Sequence, residues 1–72
     1  MTTEIFVALP DEAVQVWRPI SAEHVGGDRY LITEQPYDRS IEIWEFEPGE
    51  VVICRIIVTE DRSILAAVAR AP

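Results

Sequence analysis

The side chains able to do chemistry are few, and most of them are carboxylates. Glu42, Glu45, Glu47 and Glu50 fall within one short span, and strand alternation puts Glu45 and Glu47 on the same face. Paired carboxylates can divide acid and base roles, as in glycoside hydrolysis, but that reaction needs a deep cleft around the sugar. A chain of 72 residues rarely builds one, so these glutamates read as a solvated strand face. His24 stands just before Gly26-Gly27 with no nucleophile or second base beside it, and reads as an exposed residue at a strand end. Cys54 is the only cysteine, which rules out an internal disulfide. Within Val51-Val52-Ile53-Cys54 it reads as a small buried hydrophobe, with no His or Lys near in sequence to lower its pKa. Zinc needs three or four Cys or His ligands, and the chain has one of each. Gly26-Gly27 lacks the spacing and the following helix of a phosphate loop, and no stretch matches a calcium loop. The sequence therefore predicts no enzyme, no metal and no cofactor.

Thirteen acidic residues against six basic ones give a net charge of −7. A negative field repels phosphate backbones, which argues against nucleic acid as a general partner. The six basic residues, all arginines, are scattered at positions 18, 29, 39, 55, 62 and 70. Only a folded patch of Arg18, Arg29 and Arg39 would revive nucleic-acid binding. A basic protein partner is compatible with the charge. The hydrophobic fraction of 49% is enough for one packed core, so residues 1–72 form a single domain. At about 0.05 to 0.15 kcal/mol per residue, its stability is on the order of 4 to 11 kcal/mol. Met1-Thr2-Thr3-Glu4 is not the start of a signal peptide, and no apolar run nears the ~18 residues of a membrane span. A cytoplasmic location, with no membrane contact, is expected.

Strand signals dominate the chain. Thr3 to Leu9 alternates, with Ile5, Val7 and Leu9 on one face and Phe6 and Ala8 on the other. Pro10-Asp11-Glu12 reads as a turn, followed by a strand from about Val14 in which Val14, Val16 and Ile20 share a parity. The competing assignment is a short helix starting at Pro10 and ending before Pro19. Gly26-Gly27-Asp28 marks a hairpin, and Arg29 to Thr33 the returning strand. Glu34 to Ser40 is loop, since Pro36 cannot donate to a ladder. Ser40 to Glu47 alternates with a change of phase, Ile41 and Ile43 against Trp44 and Phe46, and is expected as a strand that either carries a bulge or crosses between two sheet faces. Glu47-Pro48-Gly49-Glu50 fits a type II turn. Val51 to Thr59 is the most apolar strand and the expected centre of the core. After a turn at Glu60 to Ser63, Ile64 to Arg70 reads as a last strand, with a helix capped by Ser63 as the alternative. Five to six short strands without a βαβ pattern predict an all-β fold, a small antiparallel barrel or sandwich.

Three motifs add to this reading: Val16-Trp17-Arg18-Pro19-Ile20, then Gly27-Asp28-Arg29-Tyr30, then Trp44-Glu45-Phe46-Glu47-Pro48-Gly49. With them the chain resembles a group of small bacterial proteins that share V-W-R-P-V, G-x-x-Y and W-E-F-x-P-G patterns. The resemblance covers roughly residues 4 to 55. It implies an SH3-like barrel and assigns no catalytic or binding residue.

From Glu34 to Glu50 the chain carries six acidic residues and one arginine. Aromatic residues in the same stretch make it the expected contact surface, because aromatics are enriched at interface hot spots. The candidate partner-binding residues are Trp17, Tyr37, Asp38, Glu42 and Trp44, with Tyr37 expected to be the most exposed. Barrels with aromatic grooves beside acidic loops suit extended basic or proline-rich peptides. The sequence thus predicts a protein-interaction module, acting on a protein partner or by self-association. An acidic inhibitor that mimics nucleic acid, and a nucleic-acid-binding barrel, are the alternatives.

Overall fold

The computed structural model describes residues 2–72, which form five β-strands and no helix. They are β1 (Thr3–Ala8), β2 (Trp17–Gly26), β3 (Arg29–Ile32), β4 (Val51–Val58) and β5 (Ser63–Arg70). Each runs antiparallel to its predecessor. With an odd number of strands the first and last point the same way, so closing the sheet requires one parallel seam. That seam joins β1 to β5 at Phe6 and Ala66, and the sheet closes as a barrel. The all-β class expected from the alternation and turn pattern is the one observed.

β1 carries apolar residues on both faces because both are covered. Ile5, Val7 and Leu9 point into the main core with Ile20, Ile32 and Val52. Phe6 points the other way, into a smaller cluster with Ile64 and Ala66 that Trp17 and Ile57 flank. The strand expected from Val14 begins only at Trp17, and Val14 is 72% exposed. The reason is the pairing: β1 and β2 end together at Ala8 and Trp17, and Leu9 N–H donates to Val16 O at 3.1 Å. Pro10 has no N–H to extend the ladder.

Gly27 (φ +53°) and Asp28 make the hairpin turn between β2 and β3, and Gly26 (φ +136°) pairs with Arg29 after a register irregularity at the end of β2. At the other predicted turn, Glu50 N–H donates to Glu47 O at 3.1 Å and Gly49 has φ +93°, as type II geometry requires. β5 is a strand, paired with β4 from Arg70 back to Ser63. Its alanines serve packing: Ala67 is buried in the main core and Ala66 in the outer cluster.

Two expectations need correction. Ser40 to Glu47 forms no strand and pairs with none. Its backbone groups are satisfied locally: Ile41 N–H and Glu42 N–H both donate to Asp38 O, and Glu45 N–H donates to Ala8 O. Alternation in sequence reported burial, with Trp44 and Phe46 inside and Glu45 outside, without any ladder. The second correction concerns β4, of which only the first half lies in the core. Val52 and Cys54 are buried, but Ile56 and Val58 continue past the barrel into solvent, 66% and 78% exposed. No helix of the described residues is long and apolar enough to cross a membrane.

A Cβ on Gly49 would meet only Glu34 Oε1, at 3.8 Å, so substitution there tests backbone conformation alone. Gly49→Ala is expected to cost about 1 to 2 kcal/mol, read as a lower urea midpoint at unchanged m-value. An unchanged midpoint would mean the turn does not hold the positive φ.

Candidate interaction surface

The segment between β3 and β4, residues 33–50, is long for a connection, and it is pinned along its length. Gln35 lies beside β2 and uses its side-chain amide as a peptide group would. Its Oε1 accepts from Ser21 N–H at 3.0 Å, and its Nε2 donates to Ser21 O at 2.9 Å. One turn of chain follows at Asp38, whose Oδ1 accepts from Ser40 N–H (2.9 Å) and Ser40 Oγ–H (2.6 Å). These bonds to its ionised form hold the Asp38 carboxyl below the usual range. Beyond the turn, Trp44 and Phe46 enter the main core, each 4% exposed.

Tyr37 and Trp44 stack, with ring centroids 4.2 Å apart. Tyr37 Oη accepts from Trp44 N–H at 2.9 Å. The indole Nε1–H donates to Glu42 Oε1 at 2.8 Å, and Arg18 Nε approaches the same oxygen at 3.2 Å. Glu42 therefore links the buried indole to β2. Two further ion pairs fasten the segment. Arg39 pairs with Glu47 through both Nε and Nη2, with its guanidinium 5.7 Å from the Tyr37 ring centroid. Arg70 of β5 pairs with Glu50 and lies 5.1 Å from the Phe46 ring centroid. The hydrogen bond from Arg39 holds Glu47 below the ordinary carboxylate range and raises Arg39 in turn.

Four of the five sequence-predicted contact residues, Tyr37, Asp38, Glu42 and Trp44, do come together. With Arg18, Pro36 and Ile41 they bound an open concavity of about 350 Å³. Their roles differ from those expected. Trp44 is core and offers a partner no surface; Tyr37 is half-buried and structural. Trp17 is elsewhere, half-buried against the outer cluster, where it flanks a groove with Ile57, Val58 and Arg62. Its parity opposite to Val16 left a second buried face and an exposed position equally open, and the structure puts it against the outer cluster. Sequence reasoning missed Ile41, assigned to a strand yet 79% exposed at the rim of the concavity. The available signal was Asp38 two residues before Ser40, a spacing that favours a local turn over a strand.

Cys54 is buried and free, and burial, with a smaller effect of the nearby Asp28 charge, pushes its thiol up to about 11. His24 is exposed, with Nε2 2.7 Å from Gly27 O and its ring against Tyr30. Among the described residues no group of three or more His, Cys, Asp or Glu side chains is placed to hold a metal ion.

No protein-family model matches this chain, and neither a curated protein nor a solved structure matches it. The likeness drawn from the three sequence motifs gains no support from these comparisons. Function has to be argued from the surface itself.

Two outcomes check this geometry. Tyr37→Phe leaves the Trp44 amide without its acceptor and is expected to lower stability by about 1 to 3 kcal/mol in urea unfolding. A neutral result would mean the hydroxyl does not hold the loop. The second is a pH titration of the glutamate carboxyls by NMR. Glu47 should titrate below the other exposed glutamates and return toward them in Arg39→Gln. Because the folded value is the depressed one, this pair contributes stability only above the ordinary carboxylate range, and loses it as pH falls through the folded value. A Glu47 midpoint unmoved by the substitution would dissolve the pair.

Proposed function

We propose that this protein is a non-enzymatic, cytoplasmic protein-interaction module whose contact surface is the loop face around Pro36, Tyr37, Asp38 and Ile41. The observation that carries the reading is Ile41. It is a large apolar side chain, 79% exposed, on a segment otherwise pinned to β1, β2 and β5. An exposed anchor on a rigid support loses little conformational entropy on binding. Pro36 and the Tyr37 ring edge extend the apolar strip.

The charge around it suggests the partner. Glu42, Glu47 and Glu50 are matched by arginines, whereas Glu34, Asp38 and Glu45 have no arginine partner among the described residues. A strip of this kind suits an extended segment carrying proline or apolar residues with Lys or Arg beside them. The same pairing weighs against the two alternatives. A nucleic-acid mimic needs an array of unpaired carboxylates, and half of these are paired. A phosphate-binding patch needs free arginines, and Arg18 and Arg39 are already engaged by Glu42 and Glu47.

Ile41→Asp tests the reading, because Ile41 supports nothing in the core. The tagged domain should retain one partner from native-host lysate at low and moderate salt. The variant should keep the wild-type melting temperature and bind that partner at least about tenfold more weakly. Equal retention by the variant would move the contact surface elsewhere.

A further inference from the structure

The barrel leaves one edge of β4 without a neighbour over its last residues, while the other edge stays paired with β5. β3 is only four residues long, and its pairing with β4 ends at Arg29 and Ile53. One more bond follows, from Cys54 N–H to Asp28 O at 2.8 Å. On the opposite edge, Thr59 N–H donates to Arg62 O at 2.8 Å, which sets the phase of the β4–β5 ladder. By alternation, Arg55 and Ile57 direct their backbone groups toward β5, and Ile56 and Val58 direct theirs away from it. Among the described residues nothing hydrogen-bonds the Ile56 or Val58 amides. Their side chains are 66% and 78% exposed. Regular strand, open edge and β-branched apolar side chains thus coincide at Ile56 to Val58, with Asp28 at one end of the edge and Glu60 and Asp61 at the other. Of the arginines near by, Arg62 is turned over the Phe6 ring, and Arg29 and Arg55 are exposed.

We propose that this edge of β4 accepts an extended segment of another protein as an added strand. The segment is apolar at its centre, against Ile56 and Val58, with Lys or Arg at its ends. Open strand edges pair with extended peptides through main-chain bonds, and side chains supply selectivity. Charge decides the occupant. A second copy would bring another net −7 to a chain of −7, whereas a basic-ended segment meets the bracketing carboxylates. This site is separate from the Ile41 surface and does not depend on it.

The probe is a synthetic seven-residue peptide of alternating valine and threonine with arginine at both ends. Its control is the same peptide with glutamate ends. By NMR, the arginine peptide should slow exchange of the Ile56 and Val58 amides and bind about tenfold tighter than the control at low salt, with the gap narrowing as salt rises. Val58→Pro should abolish binding; its lost N–H points away from β5, so the barrel ladder is kept. N-methylation of the central valine in the peptide should do the same with the protein unaltered. Equal binding of both peptides, exchange protection elsewhere, or full binding by the methylated peptide would overturn the proposal. So would concentration-dependent protection of Ile56 and Val58 without peptide, which would give the edge to a second copy.

Discussion

The indole of Trp44 is buried, but its ring N–H still needs an acceptor, and residues 33–50 are arranged around that need. A carboxylate meets it. Glu42 accepts the indole N–H on an oxygen that also faces Arg18, so a charge at the edge of the core is balanced as well as bonded. Tyr37 covers the indole face and accepts from the Trp44 amide, so both N–H groups of that residue are bonded. Among the described residues no buried side-chain nitrogen or oxygen lacks a partner. A long connection that would otherwise lose entropy to no purpose becomes part of the core, and it presents Ile41 on a firm base.

Arginine does much of the fastening, and its chemistry explains why. A planar guanidinium can bond a carboxylate at its edge and lie over an aromatic ring with its face. Arg39 does so with Glu47 and Tyr37, and Arg70 with Glu50 and Phe46. Arg62 lies 4.9 Å from the Phe6 ring centroid over the outer cluster. Each pair is exposed and contributes little alone. Together they tie the loop to itself and to two strands of a barrel too small to hold it by burial.

Barrel geometry settles where the chain remains open. Five strands joined by four antiparallel steps force a parallel seam, and it is short, one pair at Phe6 and Ala66. β3 is shorter than the strands it joins, so β4 and β5 outrun it as a hairpin. Ile41 stays in solvent because its loop turns it outward, Ile56 and Val58 because β3 ends before it reaches them.

Much of the fold was legible in local patterns. Alternation in β1 and the phase of the glycine turns follow from φ preferences and side-chain period, which act over a few residues. The neutral buried thiol of Cys54 followed from the apolar run around it. Of the candidate residues, composition found four that the fold brings together, without finding their roles. Acidic residues and aromatics between Glu34 and Glu50 marked Tyr37, Asp38, Glu42 and Trp44, which do meet, yet Trp44 is core, Tyr37 is support and Trp17 lies on another face. The period of two that suggested a strand at Ser40 to Glu47 records only which side chains are buried. Whether a backbone has a ladder partner depends on strands distant in sequence, and here Asp38 and Ala8 took the hydrogen bonds first. The sequence by itself determined the strand-forming segments, the turns and the charge. Tertiary structure alone decided which carboxylates are neutralised and which apolar residues face water, because both depend on groups brought together across the barrel.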